Sequence, residues 1–338
     1  MTPSTPNSSE QLRESLLQLL WRQWSALGVA GHVSSGGRSM IDPEALVLVS
    51  TVFARYDARL FDEMLDWLRC NGTWINVLRL TRLQVEYSLG DASILAALAD
   101  HLTEDSVHLK WKVLTKSAPT EIEPRPLFPH LAIPNRFDEK FRHRGWLRPP
   151  LETRGLSRPP RPNQPATFIL KLRALFGRQS RAEVIAWLLT HDAGHPAQIA
   201  RETGYFRGSV QNVLNELELS GQVQATRQGR EKLFVARRDQ WRFLLTWEQG
   251  EKTEFPRWLP WASIFALIRG VHDLVDQPSF WKHSDDLQAI ELNRVITPLA
   301  ARLANEGFAP SFAGHAAGTN MRPSIIGELR QMIAELDE

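Results

Sequence analysis

The chain is poor in cysteine and has no long apolar run. Its one cysteine, Cys70, excludes a disulfide within the chain, and nothing in the cysteine usage indicates secretion. No stretch approaches the ~18 to 20 apolar residues that span a bilayer. Residues 1–15 also lack the basic and apolar layout of a signal peptide. We therefore expect a cytoplasmic protein with no membrane partner.

An excess of charge of either sign is also missing. The 40 lysines and arginines nearly balance the 38 aspartates and glutamates, which gives a formal net charge of +2. Hydrophobic residues make up 43% of the chain, enough for a folded core rather than a disordered polymer. The chain as a whole is not a polycation, so a surface for nucleic acid has to come from local clusters of basic residues.

Recognisable catalytic motifs are absent as well. The sequence contains no nucleophile elbow, no His-Glu-x-x-His, no phosphate-binding loop and no dinucleotide fingerprint. His191 and His195 are four residues apart, but Gly194 and a helix break separate them, and no cysteine cluster completes a zinc site. We expect no enzymatic activity, no cofactor and no metal.

Helical periodicity dominates what is present, so the sequence predicts a mainly α chain. Composition changes divide it into four parts. These are an N-terminal helical domain (1–116), a linker or arm rich in proline and arginine (117–165), a central module (166–250) and a C-terminal helical subdomain (251–338).

Two of these parts leave alternatives open. In the first, residues 73–84 fit either a plain helical bundle or the last helix of a helix-turn-helix, with Arg79 and Arg82 facing outward. The arginines of the linker suit an arm along DNA phosphates, and equally an ordered linker with apolar anchors. Those anchors would be Phe128, Leu131, Phe141, Trp146 and Leu147. Four further cations extend the basic strip into the central module: Lys171, Arg173, Arg178 and Arg181.

The central module is predicted as three helices and a two-stranded hairpin. The helices cover 181–191, 196–203 and 207–221, and strand-like runs follow at 222–226 and 232–236. Pro196 suits the first helical position, and Gly204 suits a helix end. In the third helix one apolar stripe recurs at helical spacing: Val210, Val213, Leu214 and Leu217.

This order of elements carries a resemblance. AQIARETG, then SVQNVLNELELSGQV, then a basic hairpin resembles the winged helix-turn-helix domain of MarR- and ArsR-type bacterial transcriptional regulators. The resemblance covers residues 181–238 only. It implies that the third helix enters the major groove of DNA.

Helix geometry then selects the reading residues. With the apolar stripe packed inward, the opposite face carries side chains that can bond to base edges: Arg207, Ser209, Gln211, Asn212 and Asn215. In or beside the turn of the hairpin, three cations are placed for phosphates: Arg227, Arg230 and Lys232.

We therefore expect a sequence-specific protein that binds double-stranded DNA and regulates transcription. One recognition helix reads only a few base pairs, so a homodimer on paired half-sites is expected. The alternative is a protein-interaction module, such as an antitoxin-like partner of a protein encoded nearby, because the same module serves both uses.

Overall fold

The computed structural model describes residues 8–31, 37–116, 123–229, 231–245, 254–310, 312 and 324–336. Within these residues the chain is mainly helical with two small sheets, which confirms the predicted class. No helix there is both long and apolar enough to cross a bilayer. Arg230 and residues 1–7 lie outside the described part, and so do residues 246–250 at the end of the predicted central module.

The elements follow one another with short connections except around the linker. The α-helices are α1 (Ser8–Leu27), α2 (Pro43–Phe53), α3 (Ala58–Asn71), α4 (Val77–Tyr87), α5 (Ala92–Leu102), α6 (Glu139–His143), α7 (Phe168–Phe176), α8 (Ser180–Thr190), α9 (Pro196–Thr203), α10 (Arg207–Leu219), α11 (Trp261–Val275), α12 (Asp285–Asn305) and α13 (Ser324–Glu335). The strands are β1 (Arg125–Pro126), β2 (Trp146–Leu147), β3 (Val223–Gln228) and β4 (Glu231–Ala236), and 3₁₀ turns occur at Ser106–Lys116 and Arg238–Leu244 among others.

Helices from both ends of the chain share one core. The last helix, α13, packs on the first, where Arg330 donates to the Gln11 side chain at 3.1 Å. Helix α11 packs against α1, α2 and α4, and the indole of its Trp261 donates to the Met40 carbonyl at 2.7 Å. The N-terminal and C-terminal helices therefore bury their apolar faces against each other as well as against their own neighbours.

The linker wraps on the N-terminal helices. Arg144 pairs with Asp100 of α5 at 2.8 Å, and the buried Arg148 pairs with Asp62 of α3 at 2.8 Å. Arg154 reaches Glu63 of α3 at 3.0 Å. These carboxylates already occupy cations that an arm on DNA would need, so the pairing favours the ordered-linker interpretation.

The apolar anchors of the linker are mostly as expected. Phe128, Phe141 and Trp146 are buried, and the two-residue strand that begins at Trp146 pairs in parallel with β1. Leu131 is 46% exposed, so its prediction as an anchor is wrong. Residues 117–122, at the start of the predicted linker, lie outside the described residues.

Two arginines that were expected on the surface lie in the interior. Arg79 on α4 is 4% exposed and Arg173 on α7 is 1% exposed, so both predictions are wrong. A charged side chain is buried at tolerable cost only when carboxylates and carbonyls satisfy it. Those partners come from helices distant in the sequence, as described below.

Candidate nucleic-acid interface

The turn between α9 and α10 depends on Gly204. Its φ is +74°, the left-handed conformation that glycine adopts without strain, and its N–H donates to the Ala200 carbonyl. A Cβ at this position would also lie 3.0 Å from Cδ2 of Leu83 on α4. Glycine therefore both ends α9 and lets α4 approach the turn, which fixes the direction in which α10 leaves.

Helix α10 divides into an apolar and a polar face, as predicted. The stripe of Val210, Val213, Leu214 and Leu217 is buried. On the opposite face Gln211 is half-buried, and the other four predicted reading residues are exposed: Arg207, Ser209, Asn212 and Asn215. Helix α10 thus presents a continuous polar surface to solvent.

Within that polar face one pair of side chains is already bonded. Nε2 of Gln211 donates to Oδ1 of Asn215 at 2.9 Å. Each amide must break this bond, or keep it and use its remaining donor and acceptor atoms, to contact a base. Arg207, Ser209 and Asn212 have no such internal partner among the described hydrogen bonds, so they are the better placed readers.

The hairpin follows α10 directly. Strands β3 and β4 pair antiparallel, with Arg227 opposite Lys232 near the turn. Arg227 is exposed. Nζ of Lys232 lies 2.6 Å from a carboxylate oxygen of Glu218 on α10 and 4.9 Å from the centre of the Phe234 ring. Of the three predicted phosphate contacts, Arg227 is free of a described carboxylate, Lys232 is paired and Arg230 lies outside the described residues.

A short backbone bridge ties the hairpin to the helices. The N–H and C=O of Gly194, between α8 and α9, exchange hydrogen bonds of 3.0 and 2.9 Å with Phe234 of β4. A side chain at Gly194 would overlap the ring of Trp187. We interpreted Gly194 only as a helix break, because a single bridging residue has no period-2 pattern that a sequence could reveal.

Charge is distributed unevenly along α10. In its C-terminal half Glu216 pairs with Arg181 of α8, and Glu218 pairs with Lys232. In its first turn Arg207 is exposed and has no carboxylate partner among the described residues. The N-terminal end of the helix is therefore the positively charged end, and its N-cap residue, Phe206, makes no side-chain cap.

A buried ionic network holds the three helices and hairpin against the N-terminal helices. The Glu44 carboxylate on α2 accepts from Arg79 at 2.6 Å and from Arg173 at 2.7 Å. Arg173 also bonds to Glu183 of α8 at 2.8 Å. The other guanidinium, Arg79, donates from Nε to the Thr203 carbonyl at the end of α9, at 2.7 Å. The last residue before the turn is thus bonded directly to α4.

Asp42 completes the network at the start of α2. Its carboxylate caps the helix by accepting from the N–H groups of Glu44 and Ala45 at 3.1 Å, and it binds both terminal nitrogens of Arg79 at 2.7 and 2.5 Å. Burial alone would raise the pKa of Asp42, but the Arg79 charge and these hydrogen bonds together lower it. The carboxylate is therefore held in its charged form.

The two histidines at the break between α8 and α9 are used within the chain. His191 stacks on Trp187 with ring centres 3.9 Å apart, and burial lowers its pKa. His195 caps α9, because its Nδ1 accepts from the Ala197 N–H at 3.2 Å. Across the described ranges no group of three or more His, Cys, Asp and Glu side chains could hold a metal ion.

Comparison with known proteins gives this arrangement no relative: no protein family, no curated protein and no solved structure matches the chain.

Proposed function

We propose that the protein binds double-stranded DNA sequence-specifically as a transcriptional regulator, with residues 180–236 acting as a winged helix-turn-helix. The observation that carries the proposal is the division of α10. Its apolar stripe is entirely used in packing, while Arg207, Ser209 and Asn212 at its N-terminal end are exposed. The N-terminal residues of a recognition helix are those that read base edges in this class of module.

Each exposed group has a chemical counterpart in the major groove. Arg207 suits the O6 and N7 acceptors of guanine, and Asn212 suits N6 and N7 of adenine. Arg227 in the hairpin would contact phosphates, which adds affinity on every sequence. Lys232 would join it only by releasing Glu218, so we assign it a smaller part.

We propose a homodimer as the binding species. A single α10 spans few base pairs, and two copies on half-sites about one helical turn apart would give a site long enough to be selective. The positive field is local, because the whole chain carries a net charge of only +2. Binding should therefore be strongly salt-dependent and should involve the α10 and hairpin surface alone.

The test is fluorescence anisotropy with the full chain. The duplexes are overlapping pieces of the DNA upstream of its own gene and scrambled duplexes of equal composition, each titrated at salt concentrations from about 50 to 200 mM. We expect one upstream piece to bind at least about tenfold more tightly than its scrambled form. Sedimentation of that complex should give two chains per duplex.

Other outcomes have distinct meanings. Equal, salt-dependent binding to upstream and scrambled DNA would leave a nonspecific DNA-binding protein and contradict the regulator. Absence of binding to any duplex at the lowest salt would contradict DNA binding itself.

A further inference from the structure

A row of exposed apolar side chains lies beside the start of α10. Leu78 and Val85 of α4 are 77% and 76% exposed, and Phe206 is 71% exposed. Arg82 of α4 joins them, because its guanidinium carbon lies 4.4 Å from the centre of the Phe206 ring. We call these four residues the α4 strip. Leu78, Arg82 and Val85 are spaced i, i+4 and i+7, so they share one face of α4.

Folding of the described chain does not explain the α4 strip. Single exposed apolar residues are common, but a contiguous group of large ones marks a contact surface. Phe206 also occupies the N-cap of α10, where Ser, Thr, Asp or Asn would stabilise the helix by capping it. Phenylalanine makes no side-chain cap there, and most of its ring is in solvent. A second molecule that covers the ring would account for both features.

The surroundings of the strip are positively charged. Nη1 of Arg82 is buried without a hydrogen-bond acceptor, and its nearest described carboxylate, Glu86, is 3.7 Å from Nε. Glu86 is already engaged by Arg302 at 2.6 Å. Arg207 follows Phe206 directly, and it has no carboxylate partner in the described part of the chain.

A second free guanidinium lies at the other end of α4. Asn76, the cap of α4, donates to the Arg178 carbonyl at 2.8 Å, which places Arg178 beside the start of the strip. Its guanidinium is exposed and donates to the Thr73 carbonyl, and none of the ion pairs between described residues involves it. An occupant of the strip should therefore bring negative charge to its edges.

We propose that the α4 strip binds an amphipathic α-helix of another protein, with an apolar seam flanked by Asp and Glu. The row from Leu78 to Val85 is straight and about 10 Å long, the length of two turns of a partner helix. Its mixture of aromatic, aliphatic and arginine side chains is that of a helix-binding surface.

Two other occupants fit less well. A second copy of the chain, related by two-fold symmetry, would set Arg82 and Arg207 of one molecule against the same cations of the other. Duplex DNA satisfies the cations but offers thymine methyl groups as its main apolar contact in the major groove, too little for Leu78, Val85 and Phe206 together. A partner helix covering Phe206 also covers Arg207, so it would compete with DNA for the first turn of α10.

The test uses two synthetic helix-forming peptides with the same leucine seam. One carries glutamate at the flanking positions, and the other carries lysine there. Fluorescence anisotropy with the full chain, without DNA, should show saturable binding of the glutamate peptide at least about tenfold tighter than of the lysine peptide.

Variants of the strip should remove that binding. In the double variant Leu78→Ser and Val85→Ser, and separately in Phe206→Ser, we expect at least about a tenfold loss of affinity for the glutamate peptide. Serine is a favourable N-cap, so Phe206→Ser should keep α10 folded. The control is Leu219→Ser at the other end of α10, where the leucine is 90% exposed and peptide affinity should not change.

Any of four results would overturn the proposal. They are no binding of either peptide, equal binding of both, retained binding in the strip variants, or equal loss in the Leu219→Ser control. If the double variant lost duplex affinity and kept peptide affinity, the strip would belong to the DNA surface. If the unmodified chain dimerised in sedimentation and the double variant did not, its occupant would be a second copy.

Discussion

Helices α4 and α10 meet at the Gly204 turn and distribute arginine and leucine in opposite ways. Helix α10 buries Leu214 and exposes Arg207, as an amphipathic surface helix does. Helix α4 buries Arg79 and exposes Leu78. The hydrophobic effect alone explains the first helix but not the second.

The difference between the helices comes from their neighbours. Arg79 is buried because Asp42, Glu44 and the Thr203 carbonyl supply negative charge and acceptors in one place. Around α10 the neighbouring helices supply only apolar surface to the buried stripe. Arginine is thus internal where carboxylates have been buried to receive it, and external where they have not. The comparison can be tested by exchanging the same residue type in both helices.

The largest effect is expected for Arg79→Met. The substitution keeps the length of the side chain but leaves Asp42 and Glu44 with one cation fewer in the interior. We expect the free energy of unfolding to fall by about 3–5 kcal/mol. Urea unfolding followed by tryptophan fluorescence measures it. The control, Arg207→Met on α10, should change stability by less than about 0.5 kcal/mol. A loss below about 1 kcal/mol for Arg79→Met would mean that the network does not hold the fold.

The two leucines provide the converse comparison. Leu214→Ala removes buried methyl groups from the α10 stripe and should cost about 2–5 kcal/mol of unfolding free energy. Leu78→Ala, on the exposed face of α4, should cost less than about 0.5 kcal/mol. The same urea titration measures both. Similar losses in the two variants would contradict the exposure of Leu78, and with it the α4 strip.

A smaller effect is expected on DNA recognition. If α10 reads the major groove, Arg207→Ala should lower discrimination between the preferred duplex and a single-base variant by about 1–3 kcal/mol. Competition anisotropy with the two duplexes measures the difference. Arg227→Ala serves as the comparison, because loss of a phosphate contact should weaken all duplexes alike and reduce the salt slope by about one. Unchanged discrimination in Arg207→Ala would remove this residue from the reading face.

The smallest effect is the acid dependence of stability. The pKa of Asp42 is lower in the folded protein than in the unfolded chain, so its contribution is complete above the unfolded pKa of about 3.9. That contribution disappears as the pH falls through the folded pKa. We expect the unfolding midpoint of the unmodified protein to fall more steeply below about pH 4 than that of Asp42→Asn. Parallel curves for the two proteins would show that Asp42 is not held in its charged form.

Local patterns were enough for the central module. The stripe in α10, the start of α9 at Pro196 and its end at Gly204 follow from helix period and backbone preference, and all three are confirmed. The bridge between Gly194 and Phe234 was not predicted, since it joins two residues forty positions apart through backbone atoms alone. The expectation that Arg79 and Arg173 are exposed failed because arginine is usually a surface residue.

The sequence by itself determined the mainly helical class, the order of three helices and a hairpin, and the polar face of α10. Each of these depends on residues within a few turns of one another. Only the tertiary structure decided that Glu44 from α2 lies between Arg79 and Arg173, that the linker arginines bind acidic residues of α3 and α5, and that Leu78, Val85 and Phe206 stay in solvent. The energy of a buried charge or an exposed ring depends on partners that packing brings from distant parts of the chain, and no local pattern records them.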